Sequence, residues 1–380
     1  MIFEPNGDFR SPKCACFDMD GTIIKNRSGK KFPENYRDWM ILYSGKIPEK
    51  LHELHRNGYR IVIFSNQRGL ATGKQSKPDL KLKFTAIMKK IGVPMTMFLS
   101  YGLGVHRKPS VGLWHLLEEQ NGPIDKSKSF YVGDAAGRPK NWQPGAAMDH
   151  SKVDRLFALN LDINFYTPEE YFLKSSKNKF EMPVFNPKEL RKNRTLGVVV
   201  EPESEKKEIG SLEDLVRQDL EMLVLVGYPA SGKSTLAQII SEKKGYIQIN
   251  QDTLGSLDRC VRKAGEALSN KKSVIIDNTN FLEEQRRRYI EIARRAGANV
   301  RCLWLDCSVD QARHNNKFRL LTSPDAKHKD VTDVVLYTLR KKFEEPKLGE
   351  GFLQIVKMHM VPKFDTPQRE KLFYMYLLEK

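Results

Sequence analysis

MLVLVGYPASGKST, from Met222 to Thr235, is the stretch whose reading decides the fold of the half of the chain around it. Its apolar start, Met222 to Val226, predicts a parallel strand, since strands covered on both faces need not alternate polar and apolar residues. The strand runs into Gly227-x-x-x-x-Gly232-Lys233-Ser234, and helical character follows from Thr235 to Ile240. Glycines let the backbone turn tightly, so that successive N–H groups and a helix N-terminus point at phosphate oxygens. Lys233 adds a positive charge for the outer phosphates and Ser234 a hydroxyl for Mg2+. Gly227, Tyr228, Pro229, Ala230, Ser231, Gly232, Lys233, Ser234 and Thr235 are therefore the candidate cradle for ATP.

A chain of 380 residues has room for two or three domains with full cores. Its 40% hydrophobic and 29% charged content fits soluble globular domains and excludes a disordered chain. No apolar run reaches membrane-spanning length, and MIFEPNGDFRSPK lacks the apolar centre of a signal peptide. A cytosolic or nuclear compartment is expected, with no membrane partner. The five cysteines agree, being too few and too scattered for a disulfide framework. Cys14 and Cys16 read as buried thiols rather than zinc ligands, because no second Cys/His pair lies at metal spacing. The formal net charge of +17 suits a polyanionic partner such as nucleic acid, although a solvated basic surface would carry the same charge.

Near the N-terminus, KCACFDMDGT predicts a short strand ending in Asp18-x-Asp20-Gly21-Thr22. Open α/β sheets place ligands at such carboxyl ends. Two acids so close suit phosphoryl transfer: one attacks phosphorus, the other passes protons, and Mg2+ relieves their repulsion. A second strand, Tyr59 to Phe64, closes at Ser65-Asn66-Gln67, where Ser65 can hydrogen-bond a phosphoryl oxygen. Lys108 follows in His106-Arg107-Lys108-Pro109-Ser110, and a strand from Ser129 to Val132 ends in Gly133-Asp134. Alone, each has an ordinary reading, as helix cap, surface cation or turn; in this order they point to metal-assisted phosphate chemistry.

These residues resemble the four motifs of haloacid-dehalogenase-type phosphatases. The resemblance implies Asp18 as a nucleophile that becomes an aspartyl-phosphate and Asp20 as general acid, then base. It implies Thr22, Ser65 and Lys108 as phosphate contacts, and Mg2+ on Asp18, Asp134 and the backbone carbonyl of Asp20. Asp149 and Asp154 are candidates to support the metal, with surface acids or caps as the plainer reading. Charge, prolines and lack of apolar period predict an exposed linker over 191–219, between domains at 1–190 and 220–380.

Beyond the ATP loop, Tyr246 to Asn250 predicts a strand leading to Gln251-Asp252. A carboxylate there can accept the proton of an attacking hydroxyl, or alternatively cap the next helix. Ser273 to Ile276 leads to Asp277, the position of an acid near Mg2+. Leu282 to Ala296 reads as an amphipathic helix whose Arg286, Arg287, Arg288, Arg294 and Arg295 face either a nucleic-acid backbone or solvent. Val300 to Leu305 is a further strand. Val309 to Leu321 then spaces cations as a lid over transferring phosphates, with Arg319 the candidate to neutralise transition-state charge.

GYPASGKST, INQDTLGSLDRC, IDNTN and QARHNNKFR, with GDAAGRPKNW and DRLFALNL earlier, resemble the animal polynucleotide kinase/phosphatases over nearly the whole chain. The resemblance implies two doubly wound α/β domains with parallel sheets, a phosphatase followed by a P-loop kinase. It implies repair of DNA breaks in the nucleus by a monomer, with removal of 3′-phosphates and ATP-dependent phosphorylation of 5′-hydroxyls. Arg259 and Arg288 match positions that contact DNA in the family. In two respects the chain departs from the pattern. Asp18 comes almost at once, so the forkhead-associated domain that usually precedes it, with its phospho-scaffold partners, is not expected; and Gln251 stands where the family commonly has Arg. RNA ends or small-molecule phosphates are the alternative substrates, and a non-catalytic scaffold is a third reading, opposed by the complete set of acids and lysines.

Overall fold

The computed structural model describes residues 1–4, 9–323 and 330–379, which divide into two compact units. The first comprises 1–183 together with 375–380, the second 184–374. The expected boundary near residue 190 therefore lies a few residues too late, and the last residues of the chain belong with the first unit.

In the first unit a six-stranded sheet runs in the order Ile2–Phe3, Thr96–Ser100, Arg60–Asn66, Cys14–Phe17, Phe130–Val132, Asn164–Tyr166. Every pairing is parallel except that of the edge strand Ile2–Phe3. Both faces are covered, which is why the strands read as unbroken apolar runs. On one face Ala15, Phe17, Ile61 and Ile63 pack with Leu51, Phe84 and Ile87 of the helices Lys46–Arg56 and Lys77–Ile91. On the other, Phe64 meets the rings of Trp114 and Phe157, carried by the helices Gly112–Asn121 and Val153–Leu161. The strand Cys14–Phe17 lies between Arg60–Asn66 and Phe130–Val132, so connections leave it in opposite directions and open a crevice at its carboxyl end.

The second unit holds a seven-stranded sheet in the order Glu208–Ile209, Gly197–Glu201, Gln354–Met358, Asn299–Leu305, Glu221–Val226, Val274–Ile276, Ile247–Ile249. Its last five strands are mutually parallel, and the first two are antiparallel additions at one edge. Met222, Val224 and Val226 face Cys260, Ala264 and Tyr289 of the helices Leu257–Ser269 and Glu283–Arg295, while Leu223 and Leu225 face Ala237 and Ile240 of the helix Lys233–Lys244.

Residues 191–219 are not a linker. Gly197–Glu201 pairs with Gln354–Met358, and Val199, fully buried, sits opposite Val356. The charged run after it forms the turn of a hairpin that ends in Glu208–Ile209. The β-branched triplet Val198-Val199-Val200 is the signal; its charged neighbours lie at the solvated sheet edge, where polarity does not oppose strand formation.

Candidate active sites

Asp18 is the first residue beyond the strand Cys14–Phe17, and its amide donates to the carbonyl of Val132 at 2.8 Å, which fixes where its side chain starts. Lys108 reaches it from across the crevice. The buried ammonium of Lys108 donates to Asp18 Oδ1 at 2.7 Å, Asp154 Oδ1 at 2.8 Å, the Phe64 carbonyl at 2.8 Å and the Tyr131 hydroxyl at 2.7 Å. Asn66 holds the Lys108 backbone on both sides, accepting from its amide and donating to its carbonyl at 3.1 Å each.

Carboxylate oxygens of Asp18, Asp134 and Asp154 lie within 4.8 Å of one another. Three acids around one ammonium leave a deficit of positive charge. Burial lifts the Asp18 carboxyl to about 7 even though Lys108 opposes the rise. Burial, and then the charges of Asp18 and Asp154, lift Asp134 well above the usual carboxylate range. A divalent cation held by Asp18 and Asp134 would let both ionise, so the residues fit Mg2+. Asp154 is already committed through both oxygens, to Lys108 and Tyr131 on one side and the Ala135 amide, at 3.0 Å, on the other. It is neither a surface acid nor a simple cap. Asp149 likewise grips the loop after Asp134, accepting from the Ala136 and Arg138 amides and the Arg138 guanidinium.

Asp20 points into the mouth of the crevice with its side chain 47% exposed, which leaves it open to a substrate. Gln67 donates to its Oδ2 at 2.7 Å and also to Ser65 Oγ at 2.8 Å; Lys83 donates to its Oδ1 at 3.2 Å. Thr22 Oγ1 is buried without a hydrogen-bond partner, an orphan that a phosphoryl oxygen would satisfy. Sequence reasoning missed Gln67, Lys83 and Tyr131. For Lys83 a signal existed: it occupies the apolar stripe Leu80, Lys83, Phe84, Ile87 of its helix.

In the second unit the loop after Glu221–Val226 turns at Ala230, φ +62°, and Gly232, φ +99°, before the helix that begins at Lys233. Lys233 folds back on the loop, donating to the carbonyls of Gly227 at 2.9 Å and Tyr228 at 2.6 Å. Burial lowers its pKa to about 8, against the opposing charge of Asp277. Asn315 donates to the Ala230 carbonyl at 2.9 Å. Ser231 Oγ and Arg319 Nε are both buried without partners, two donors that a polyphosphate would engage. Arg319 is otherwise tied to Asn316 Oδ1 at 2.7 Å. Ser234 and Thr235 are exposed in the first turn of the helix. Asp277, buried at the end of Val274–Ile276, is oriented by Gln248 and Asn250 at 2.9 and 3.0 Å.

Asp252 does not cap the short helix Gln251–Leu254; Asn250 does, accepting from the Asp252 amide at 2.7 Å. The Asp252 carboxylate is exposed and enters no hydrogen bond or ion pair with a described residue. Gln251 and Arg259 are exposed as well, and Arg288 is partly exposed and pairs with Asp258. Arg286 departs from the expected cationic face. It is fully buried, forms a bidentate pair with Glu350 at 2.7 Å per bond, and donates to the carbonyls of Asn280, Phe281 and Glu344.

Fold and site define an α/β protein that joins a haloacid-dehalogenase-like phosphatase unit to a P-loop kinase unit. Residues 13–172 match the family model Polynucleotide kinase 3 phosphatase, and residues 222–346 match an AAA domain. The chain is 36% identical to a bifunctional polynucleotide phosphatase/kinase of Schizosaccharomyces pombe, over 91% of this chain and 79% of that protein. It is 31% identical to a putative bifunctional polynucleotide phosphatase/kinase of Acanthamoeba polyphaga mimivirus, over 90% and 83%. Similarity to the polynucleotide 3′-phosphatase ZDP of Arabidopsis thaliana, 37% identical, spans 44% of this chain and 25% of that one. The chain belongs to the bifunctional polynucleotide phosphatase/kinase family. No helix among the described residues is long and apolar enough to cross a membrane.

Proposed function

We propose that the first unit removes 3′-phosphates from polynucleotide ends and the second phosphorylates 5′-hydroxyl ends with ATP, at DNA breaks in the nucleus. The observation that carries the reading is the ammonium of Lys108 on Asp18, beside the Asp134 carboxylate, at the carboxyl end of the central strand.

In the phosphatase reaction the Asp18 carboxylate attacks phosphorus and the bond to the 3′-oxygen breaks. Asp20 gives that oxygen its proton, leaving an aspartyl-phosphate on Asp18. Asp20 then takes a proton from water, whose oxygen attacks phosphorus and releases phosphate. Lys108, Ser65 and Thr22 stabilise charge on the phosphoryl oxygens, and Gln67 and Lys83 keep Asp20 aimed at the leaving group. Asp18, Asp134 and the Asp20 carbonyl would hold Mg2+, which would supply positive charge to offset the negative charge of the nucleophile and the phosphate.

In the kinase reaction Asp252 takes the proton of the 5′-hydroxyl as its oxygen attacks the γ-phosphorus and ADP leaves. The amides of residues 227–235, with Lys233 and Arg319, bind the phosphates, while Ser234 and Asp277 would hold Mg2+. Arg259 and Arg288 contact the DNA backbone. Each site is built within one unit of one chain, which supports action as a monomer.

The test is an end-labelled nicked duplex bearing 3′-phosphate and 5′-hydroxyl. Dephosphorylation should need Mg2+ only, and 5′ phosphorylation Mg2+ and ATP. Asp18→Asn should abolish the first alone and Lys233→Ala the second alone. Failure of the nicked duplex beside turnover of RNA ends or sugar phosphates would overturn the substrate assignment. Oligonucleotide binding with no salt dependence would do the same.

A further inference from the structure

Lys108 sits between two residues that are both tied to the end of the chain. Arg107 donates to Glu379 in bidentate fashion, Nε to Oε1 at 2.5 Å and Nη2 to Oε2 at 3.0 Å. The carbonyl of Pro109 accepts from Asn160 Nδ2 at 2.9 Å, and the same amide nitrogen donates to the Tyr376 carbonyl at 2.9 Å. Asn160 Oδ1 in turn accepts from the Tyr376 amide at 2.9 Å. The Glu379 carbonyl accepts from the Lys152 amide, one residue before the helix that carries Asp154 and Asn160. The Arg107 side chain is 12% exposed and that of Glu379 37%, so the guanidinium is largely withdrawn from water while the carboxylate stays partly in it, and the two-bond fork fixes the direction of the contact.

On the opposite side of the same loop, Asn66 holds the Lys108 backbone. Without the contacts to 376 and 379, the Arg107 side chain would lose its carboxylate, and Asn160, which holds the Pro109 carbonyl, would lose the two bonds to Tyr376 that fix its own amide. The ammonium of Lys108 must meet four oxygens at once. Its position therefore depends on where residues 107–109 are fixed.

We propose that residues 375–379, which follow the kinase unit in sequence, are a positioning strap for Lys108, with Arg107, Asn160 and Glu379 its positioning residues. This rests on the phosphatase reading above. The phosphatase unit thus reaches full activity only when the chain has been made through to Glu379, whereas the kinase site is built on residues of the other unit.

The test uses the full chain and a double-mutant cycle. Glu379→Ala and Arg107→Ala should each lower kcat for 3′-dephosphorylation about tenfold, the scale of a small misplacement in an oriented site, with KM within about twofold. The pair together should be no worse than either alone. The exchange Arg107→Glu with Glu379→Arg should recover most of the loss. Kinase activity of each variant serves as the internal measure of folding, and Asn160→Asp should behave as the single variants do. An active wild-type phosphatase that is indifferent to Glu379→Ala would overturn the strap, as would additive losses or equal loss of kinase activity. A wild-type chain without phosphatase activity would instead overturn the underlying reading.

Discussion

Lys83 donates to Asp20 at 3.2 Å from the middle of a stripe that otherwise packs Leu80, Phe84 and Ile87 into the core. A lysine withdrawn to that depth costs desolvation free energy, which one partner with a half-exposed side chain offsets only in part. Function, not stability, accounts for its presence. Lys83→Met keeps an unbranched apolar stem and removes the charge, so the melting temperature should hold or rise. Phosphatase kcat should fall by about 10- to 100-fold, less than the ~10²–10⁴-fold that the general acid–base step itself supplies, because Asp20 stays in place but loses one of two fixed partners. Steady-state kinetics beside a thermal melt check both halves of this.

Gly21 has φ +88°, and a Cβ there would stand 2.3 Å from Asp134 Oδ2. Both the backbone conformation and the close approach exclude a side chain. Gly21→Ala is expected to push the Asp134 carboxylate away, abolish dephosphorylation and cost about 1–3 kcal/mol. Kinase activity of the same preparation should be unchanged, which a denaturant melt followed by both assays would establish.

How legible all this was in the sequence depended on whether a residue's neighbours share its element. Asp18, Ser65, Asp134 and Asp277 sit at strand ends, and Lys233 opens the helix after a strand-fed loop, so the apolar run before each announces its position. Asp154 is different. Its role comes from meeting Lys108 and Tyr131, 46 and 23 residues away, and nothing local distinguishes it from a first-turn helix acid. The same holds for the strand Gly197–Glu201, which was hidden by flanking charge that only the sheet edge explains. Arg286 and Arg288 are two residues apart on one helix and cannot be told apart by composition, yet one is buried and the other partly exposed.

That difference is measurable. Arg286→Ala strands Glu350 without its buried partner and is expected to destabilise the chain by about 3–5 kcal/mol. Arg288→Ala removes only a pair with the exposed Asp258, and the melt should stay within about 0.5 kcal/mol of the parent. It should instead weaken oligonucleotide binding and lower the salt slope by about one. The opposite assignment of effects would contradict the burial seen here.

Asp134, like Asp18, should respond to metal. With Asp18 and Asp154 close by, its negative charge opposes folding unless a cation is bound. Mg2+ is therefore expected to raise the melting temperature of the phosphatase unit. Asp134→Asn should melt higher than the parent in chelator and gain nothing from Mg2+, even though it is inactive. Differential scanning calorimetry with and without Mg2+ reads both effects, and a variant that still gains from the metal would remove Asp134 from the ligand set.

His314 contributes a pH dependence to the stability of the kinase unit. Its imidazole is buried between the rings of Phe185 and Phe373, and Nε2 donates to the Phe373 carbonyl at 2.8 Å. Burial lowers its pKa to about 4, outweighing that hydrogen bond. In the unfolded chain the ring titrates near its ordinary value of about 6.5. Above that pH neither state binds the proton, and the contribution of the neutral ring to stability is fully present. As pH falls from about 6.5 towards 4 only the unfolded chain takes up the proton, so stability is lost across that window, by about 3 kcal/mol in all. Below about 4 the folded ring protonates as well and the loss levels off. His314→Gln does not titrate and keeps a side-chain amide to donate to Phe373. It should flatten this part of the profile when unfolding free energy is measured by denaturant titration at successive pH values, while carboxylates continue to shape the curve at the acid end. An unchanged slope in the variant would assign the acid lability to those carboxylates instead.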